Sequence, residues 1–125
     1  MITLKYDDKV GENLGSQIIQ QIDVDKKGDV LLQPVDGEEM SQGPRGHLGS
    51  IYDLLIDVIL SKAVEVALEH LYDYLKLLIR ERKNARLRVK VVGNSNTEYL
   101  QDFDLGQEEE RSVDKLALHV KRMQQ

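Results

Sequence analysis

The chain has 125 residues, of which 41% are hydrophobic and 31% charged, and its formal net charge is −5 with the histidines neutral. A length close to the commonest domain size predicts a single domain, 1–125, that can bury a hydrophobic core. Because the chain has no cysteine, a disulfide scaffold, a cysteine-ligated metal and a cysteine nucleophile are excluded. The acidic balance makes general nucleic-acid binding unexpected.

The first part of the chain predicts a strand, a helix and a second strand. Residues 2–6 alternate between apolar and polar, which is typical of a half-buried strand. A short helix capped by Asn13 then carries four apolar residues on one face, Leu14, Ile18, Ile19 and Ile22. The second strand covers 30–35, and Pro34 indicates that it is short or lies at an edge of the sheet.

A loop and a long helix are predicted for the middle of the chain. Residues 36–50 are rich in glycine and poor in apolar residues, which indicates a flexible loop. From Ser50 to about Lys83 neither glycine nor proline occurs, and an unbroken helix would be about 50 Å long. The sequence leaves open whether 50–83 form one helix or a broken pair.

Apolar residues would cover most of the circumference of this predicted helix, which is more than a small domain readily buries. We therefore expect it to contact a protein partner or a second copy of the chain. The candidate interaction surface is a row at a spacing of four residues: Tyr52, Ile56, Leu60, Val64, Leu68 and Tyr72. Regularly spaced charges on the remaining side argue against a membrane span.

The last part of the chain predicts a β-hairpin and a helix. Residues 86–92 and 98–105 both alternate, and the residues between them favour a turn. The final helix begins with three glutamates and ends with Lys121 and Arg122, an order that suits the helix dipole. The predicted fold is α+β, in the order β-α-β-α-β-β-α, with a small, mostly antiparallel sheet and one long apolar helix.

A basic cluster is the one place where a phosphate would meet concentrated positive charge: Arg80, Arg82, Lys83, Arg86, Arg88 and Lys90. A hairpin register that sets Leu87 opposite Phe103 would bring part of this cluster against acids. The facing pairs would be Arg86 with Asp104 and Arg88 with Asp102. We expect a neutralised face and no nucleic-acid partner.

Residues 43–50, Gly-Pro-Arg-Gly-His-Leu-Gly-Ser, lie between a predicted strand and a predicted helix, where phosphate-binding loops occur. No lysine follows the last glycine, so the Walker pattern is absent, and the glycine spacing does not fit a dinucleotide fingerprint. One interpretation is a flexible linker that ends in a serine cap. The other is an anion or ligand loop formed by Gly43, Arg45, Gly46, Gly49 and Ser50.

The remaining motifs predict no metal site and no catalysis. A segment that starts at Asp23 opens like a calcium loop but has Pro34 at the twelfth position, where glutamate is required. Glu65, Glu69 and His70 lie close together, but a di-iron site needs matching ligands from a second helix. The three histidines show no spacing that suggests a catalytic triad. We expect no cofactor, no metal and no enzymatic activity.

Between residues 29 and 122 the chain combines a glycine-containing segment, an apolar helical region, and a strand pair followed by a helix. The segment includes Gly37-Glu-Glu-Met and Gly46-His-Leu-Gly, and the first strand of the pair is Arg86-Leu-Arg-Val-Lys-Val. In these motifs and their order the chain resembles the effector-associated constant component family, small bacterial proteins found beside conflict and signalling systems. The resemblance implies a non-enzymatic role beside effectors such as nucleotide-dependent switches and caspase-like or trypsin-like proteases.

Two functions of different classes follow from these observations. The first is an adaptor, scaffold or oligomerisation module that binds a protein partner, a second copy of the chain, or both. The alternative is a small-ligand or nucleotide-sensing regulatory domain that uses the loop at 43–50. Because the start of the sequence lacks the basic segment and long apolar run of a signal peptide, we expect a cytoplasmic location.

Overall fold

Five strands and three α-helices make up the described part of the chain, residues 1–35 and 52–125 of a computed structural model. Their order is β1 (Ile2–Tyr6), α1 (Lys9–Ile22), β2 (Val30–Pro34), β3 (Leu54–Ile59), α2 (Glu65–Arg80), β4 (Arg86–Val92), β5 (Glu98–Asp104) and α3 (Arg111–Met123). Short 3₁₀ turns lie at Lys62–Val64 and Asn94–Asn96. The predicted α+β class is confirmed. The loop predicted for 36–50 lies outside the described residues.

The strands form one mixed sheet in the order β2-β1-β3-β4-β5. The pairs β1–β2 and β3–β4 are parallel, whereas β1–β3 and β4–β5 are antiparallel. The sequence led us to expect a mostly antiparallel sheet. The sheet is instead mixed, with two parallel and two antiparallel pairs. Each parallel pair is joined through a helix, because a crossover must return the chain to the end of the sheet where it started. The first strands of the two β-α-β units lie side by side at the centre.

The predicted long helix is wrong in its first part, because residues 54–59 form strand β3. Leu54, Ile56 and Val58 are fully buried and alternate with more exposed residues, as a strand requires. An extended Ser61 and the 3₁₀ turn then separate β3 from α2. An apolar run with few polar residues fits the helical and strand periods equally well, so periodicity alone could not distinguish the two.

All three helices pack on the same face of the sheet, and the hydrophobic core lies between the two layers. On the side that faces the helices, Ile2 and Leu4 of β1 and the inward residues of β3 and β4 are 0% exposed, and Tyr6 is partly buried. They meet buried residues of the helices, among them Ile18 on α1, Leu71 and Leu75 on α2, and Leu116 on α3. No helix covers the opposite face of the sheet within the described residues, and the strand residues there are exposed or half-buried.

Helix α1 begins earlier than predicted and lies very close to the sheet. The carboxylate of Asp8 accepts a hydrogen bond of 2.8 Å from the backbone N–H of Gly11, so Asp8 is the N-cap and Asn13 lies inside the helix. A Cβ atom on Gly11 would lie 1.8 Å from the carbonyl oxygen of Asp53. A glycine at this position is therefore what allows the first turn of α1 to approach the start of β3.

Candidate interaction surfaces

The face of the sheet opposite the helices, which we call the open face, is the largest candidate surface. Its residues are Thr3 and Lys5 on β1, Leu31 and Gln33 on β2, Leu55, Asp57 and Ile59 on β3, Arg86, Arg88, Lys90 and Val92 on β4, and Glu98, Leu100, Asp102 and Asp104 on β5. Three apolar side chains stand out, because Ile59 is 57% exposed, Leu100 50% and Leu31 44%. The open face thus presents apolar side chains to solvent.

The charges of the open face pair with one another. Lys5 lies 2.9 Å from Asp57, and three further pairs connect β4 and β5. Those pairs are Arg86 with Asp104 at 3.5 Å, Arg88 with Asp102 at 2.7 Å, and Lys90 with Glu98 at 3.4 Å. The observed register sets Leu87 opposite Phe103, so the predicted opposition of bases and acids is confirmed. The four bases are balanced by four acids, and the face carries no net charge.

Tyr52, Arg88 and Asp102 form a closed polar cluster on this face. The Tyr52 hydroxyl donates a hydrogen bond of 2.7 Å to Asp102 and accepts one of 2.8 Å from the guanidinium of Arg88. The guanidinium carbon also lies 4.6 Å from the centre of the tyrosine ring, a cation–π distance. Burial, together with the hydrogen bond to Asp102, raises the pKa of Tyr52, so its hydroxyl stays protonated at neutral pH.

This cluster is suited to holding structure rather than to catalysis. The arginine donates two hydrogen bonds to Asp102, of 2.7 and 3.2 Å, in a bidentate arrangement. The Tyr52 hydroxyl uses its donor on Asp102 and an acceptor site on Arg88, so its proton is already committed. The three side chains therefore connect residue 52, just before β3, to strands β4 and β5.

A groove of about 740 Å³ between α2 and α3 is the second candidate surface. It lies where the beginning of α2 faces the end of α3, and its lining includes Val66, Leu68, Glu69, Tyr72, Leu118 and Lys121. Burial raises the pKa of Tyr72 to about 12, so a neutral phenol lies in the groove. At the opposite ends of the same helices, ion pairs connect Lys76 with Asp114 and Arg80 with Glu110.

The six residues predicted as an interaction surface do not form one row. Tyr52 precedes β3, Ile56 belongs to β3, Leu60 follows it, and Val64 closes the 3₁₀ turn, so only Leu68 and Tyr72 share a helix. Four of the six are at most 9% exposed and belong to the core: Ile56, Val64, Leu68 and Tyr72. Of these four, Leu68 and Tyr72 also line the groove between α2 and α3. The predicted ligand loop, 43–50, lies outside the described residues.

The exposed residues of the open face were missed for a physical reason. Ile59 lies in the segment for which the sequence predicts a helix, whereas the structure places it at the end of strand β3. Leu100 lies in a strand that was predicted, but alternation alone does not say which side of that strand the helices cover. The β-branched residues of this run, Ile56, Val58 and Ile59, are the signal that could have found β3.

The described ranges contain neither a metal-ligand cluster nor a helix that could span a membrane. Residues 1–35 and 52–125 contain no group of three or more histidine, aspartate or glutamate side chains placed to hold a metal ion. Glu65, Glu69 and His70 all lie on α2 and are exposed. None of the described helices has the length and apolar character needed to cross a bilayer.

Comparison with known proteins gave no relative: no family model, no curated protein and no solved structure matches the chain. The resemblance to the effector-associated constant component family therefore stays a prediction.

Proposed function

We propose that this chain is a non-enzymatic adaptor or scaffold that binds another protein through the open face of its sheet. One observation carries the proposal. In residues 1–35 and 52–125 the helices cover one side of a five-stranded sheet, and on the other side Leu31, Ile59 and Leu100 are about half exposed among charges that are already paired. The bacterial conflict-system setting implied by the resemblance belongs to the same proposal.

The mosaic of apolar residues and paired charges suits a protein surface better than a small ligand. A protein interface typically has an apolar core and a polar rim, with charged residues depleted at the centre. Burying an unpaired charge is costly, but ion pairs such as Lys5 with Asp57 keep their partners when a second surface covers them. A partner could therefore dock on this face without leaving any of its four bases or four acids unpaired.

The size of the open face also fits a protein partner. Five strands about 4.8 Å apart, each five to seven residues long, give a face of roughly 24 by 20 Å. This is of the same order as the patch of about 800 Å² that each partner contributes to a standard interface. Each apolar side chain that such a contact buries fully contributes about 1.5–3 kcal/mol relative to full exposure.

The test compares two pairs of substitutions with matched exposure. Leu31→Lys with Ile59→Lys changes the open face, whereas Val66→Lys with Leu118→Lys changes the groove, where the two side chains are 59% and 47% exposed. Proteins retained by the native chain from its host are identified and purified, and their affinity for each variant is measured by titration calorimetry. We expect the open-face variant to bind at least about tenfold more weakly and the groove variant to bind within about twofold of the native chain.

Self-association is measured in the same series by velocity sedimentation. If the partner is a second copy, the native chain and the groove variant should dimerise while the open-face variant remains a monomer. Equal loss of binding in both variants, or loss in the groove variant alone, would overturn the proposal. Thermal unfolding of each variant shows whether any loss of binding reflects loss of fold.

A further inference from the structure

The two edges of the sheet are built differently. At one edge, β2 has five residues and ends in Pro34, and a proline cannot donate a backbone hydrogen bond to a neighbouring strand. At the other edge, β5 has seven residues without proline, and its single strand neighbour in the described residues is β4. Proteins commonly protect such edges with proline, charges or short strands. Only the β2 edge has the proline.

The hydrogen bonds at the ends of the hairpin show which backbone groups of β5 face outwards. The N–H of Gly93 donates to the carbonyl of Thr97, and the N–H of Leu105 donates to the carbonyl of Ala85. In an antiparallel ladder, bonded and non-bonded pairs alternate, so the odd-numbered residues of β5 bond to β4. The N–H and C=O groups of the even-numbered residues therefore point away from the sheet.

One end of this edge is closed by a side chain. The carboxylate of Glu108 accepts a hydrogen bond of 3.0 Å from the N–H of Asp104 and another of 2.9 Å from the hydroxyl of Ser112. The stretch left for a new strand is therefore Glu98 to Asp102. Its outward-facing backbone belongs to Glu98, Leu100 and Asp102, whose side chains all lie on the open face.

The charges along this stretch disfavour pairing with a second copy. In a symmetric antiparallel pair centred on Leu100, Glu98 of one copy would lie opposite Asp102 of the other. Centring the pair on Gln101 would instead set Glu98 opposite Asp104. Like charges directly opposite each other on neighbouring strands are destabilising. The acids thus disfavour pairing between two copies of the chain at this edge.

The same charges favour a basic segment. An added strand would lie about 4.8 Å from β5, next to the carboxylates of Glu98 and Asp102. These pair with Lys90 and Arg88 but their side chains are still 54% and 49% exposed, so each can accept a second basic partner. Lysine or arginine opposite Glu98 and Asp102 would contribute most to binding, and so would an apolar residue opposite Leu100. Since paired residues share a face, these three would occupy every second position.

We propose that β5 is a docking edge for an extended segment of a partner protein with a basic, an apolar and a basic residue at alternate positions. This inference rests on the proposed function, since it names the chemistry of the partner. The new strand extends the sheet by backbone hydrogen bonds, and its alternate side chains continue the open face. Recognition by strand addition takes affinity from the backbone and specificity from the alternate side chains.

The probe is a synthetic heptapeptide with arginine at its second and sixth positions, valine at its centre and threonine elsewhere. Binding to the full chain is followed by amide chemical shifts. We expect saturable shifts centred on Glu98, Leu100 and Asp102, and at least about tenfold weaker binding when both arginines are replaced by glutamate. Shifts that do not saturate at about 1 mM peptide, or equal binding of both peptides, would overturn the proposal.

Two further peptides test backbone pairing with the chain unaltered. Each carries N-methyl groups on one of the two alternating sets of residues, so that one blocks the hydrogen bonds towards β5 and the other blocks only the outer edge. We expect one pattern to abolish binding and the other to retain it. Binding that survives in both peptides, or fails in both, would contradict strand addition.

A variant of the chain gives an independent readout. Leu100→Pro removes an outward-facing N–H but no hydrogen bond to β4, and we expect it to weaken peptide binding at least about tenfold. Leu100→Thr keeps the N–H and should bind within about threefold of the native chain. Equal binding by the two variants overturns the edge proposal, and the methylated peptides decide the matter should the proline variant unfold.

The outcomes separate this proposal from the proposed function. If the peptide fails to bind while a partner protein is still lost through Leu31→Lys with Ile59→Lys, strand addition is wrong and the adaptor role stands. If the peptide binds with the expected pattern but the open-face substitutions leave partner binding unchanged, the edge is a docking site and the open face is not.

Discussion

Arg88 and Asp102 lie directly opposite each other on β4 and β5, with the guanidinium Nε 2.7 Å from a carboxylate oxygen. Hydrogen bonding to this arginine, assisted by the hydroxyl of Tyr52, holds the pKa of Asp102 below its usual range. Because the two side chains oppose each other at a position without backbone hydrogen bonds, their Cβ atoms approach closely. This pair thus reflects both the register of the hairpin and the pairing of charges on the open face.

Asp102→Asn should reduce stability in a pH-dependent way. A carboxyl group whose pKa is lower in the folded state stabilises the fold above its unfolded pKa of about 3.9, and that contribution is lost as the pH falls through the folded pKa. Both side chains are partly exposed, so the contribution at pH 7 should be about 0.5–1 kcal/mol. Urea unfolding between pH 2 and 7 measures it.

The difference between the native chain and Asp102→Asn should shrink as the pH falls below the unfolded pKa of about 3.9 and through the lower folded pKa of Asp102. In an Arg88→Gln background the same substitution should lose most of its pH dependence, because the lowered pKa depends mainly on the arginine. A difference that stays constant from pH 2 to 7 would show that the charge of Asp102 contributes nothing to stability.

Hydrogen exchange should reveal the alternation along β5 in the free chain. The amides of Tyr99, Gln101 and Phe103 face β4 and should exchange slowly, whereas those of Leu100 and Asp102 face outwards and should exchange near the rate of an open peptide. Two-dimensional NMR after transfer into heavy water measures these rates. Slow exchange at Leu100 without any added peptide would mean that the edge is already covered.

Gly11→Ala should destabilise the chain by about 2 kcal/mol or more, since its Cβ would overlap the carbonyl oxygen of Asp53 and force α1 off the sheet. Gly106→Ala is the matched control, because the nearest atom to its Cβ would be 3.6 Å away, an ordinary contact. Its effect should stay within about 0.5 kcal/mol. Similar losses for the two variants would contradict the close approach of α1 to residue 53.

Substitutions at Leu68 and Val66, two positions apart on α2, test whether the predicted apolar row lies in the core. Leu68 is 3% exposed, and Leu68→Ala should cost about 2–4 kcal/mol. Val66 is 59% exposed, and Val66→Ala should change the free energy of unfolding by no more than about 0.5 kcal/mol. Chemical denaturation of the monomer measures both. A small effect of Leu68→Ala would contradict the burial of Leu68 in the core.

The hairpin could be predicted in detail because local pattern and charge agreed. Alternation defined both strands, and placing Leu87 opposite Phe103 gave the register that the structure shows, with Arg88 opposite Asp102. Strand β3 could not be predicted in the same way. Its outward-facing Leu55 and Ile59 are apolar like its inward-facing residues, so the period-two signal was lost in a run that also fits a helix.

The open face depends on information that no local pattern contains. Whether Leu100 or Tyr99 faces the helices is decided by where α3 packs, and Tyr99 stacks on His119 of that helix with ring centres 4.0 Å apart. The close approach of α1 likewise depends on Gly11 meeting a residue far along the chain. These contacts join distant segments, and a single sequence does not show them.

The central pairing of the sheet bears on how the chain folds. Leu4 lies opposite Ile56, and a contact between residues roughly fifty positions apart forms slowly, because a long loop must close before the pairing contributes. The hairpin of β4 and β5 needs only a short turn. We therefore expect the C-terminal half to assemble first and to serve as the template on which β1 docks, so that Leu4→Ala chiefly accelerates unfolding and leaves the refolding rate almost unchanged.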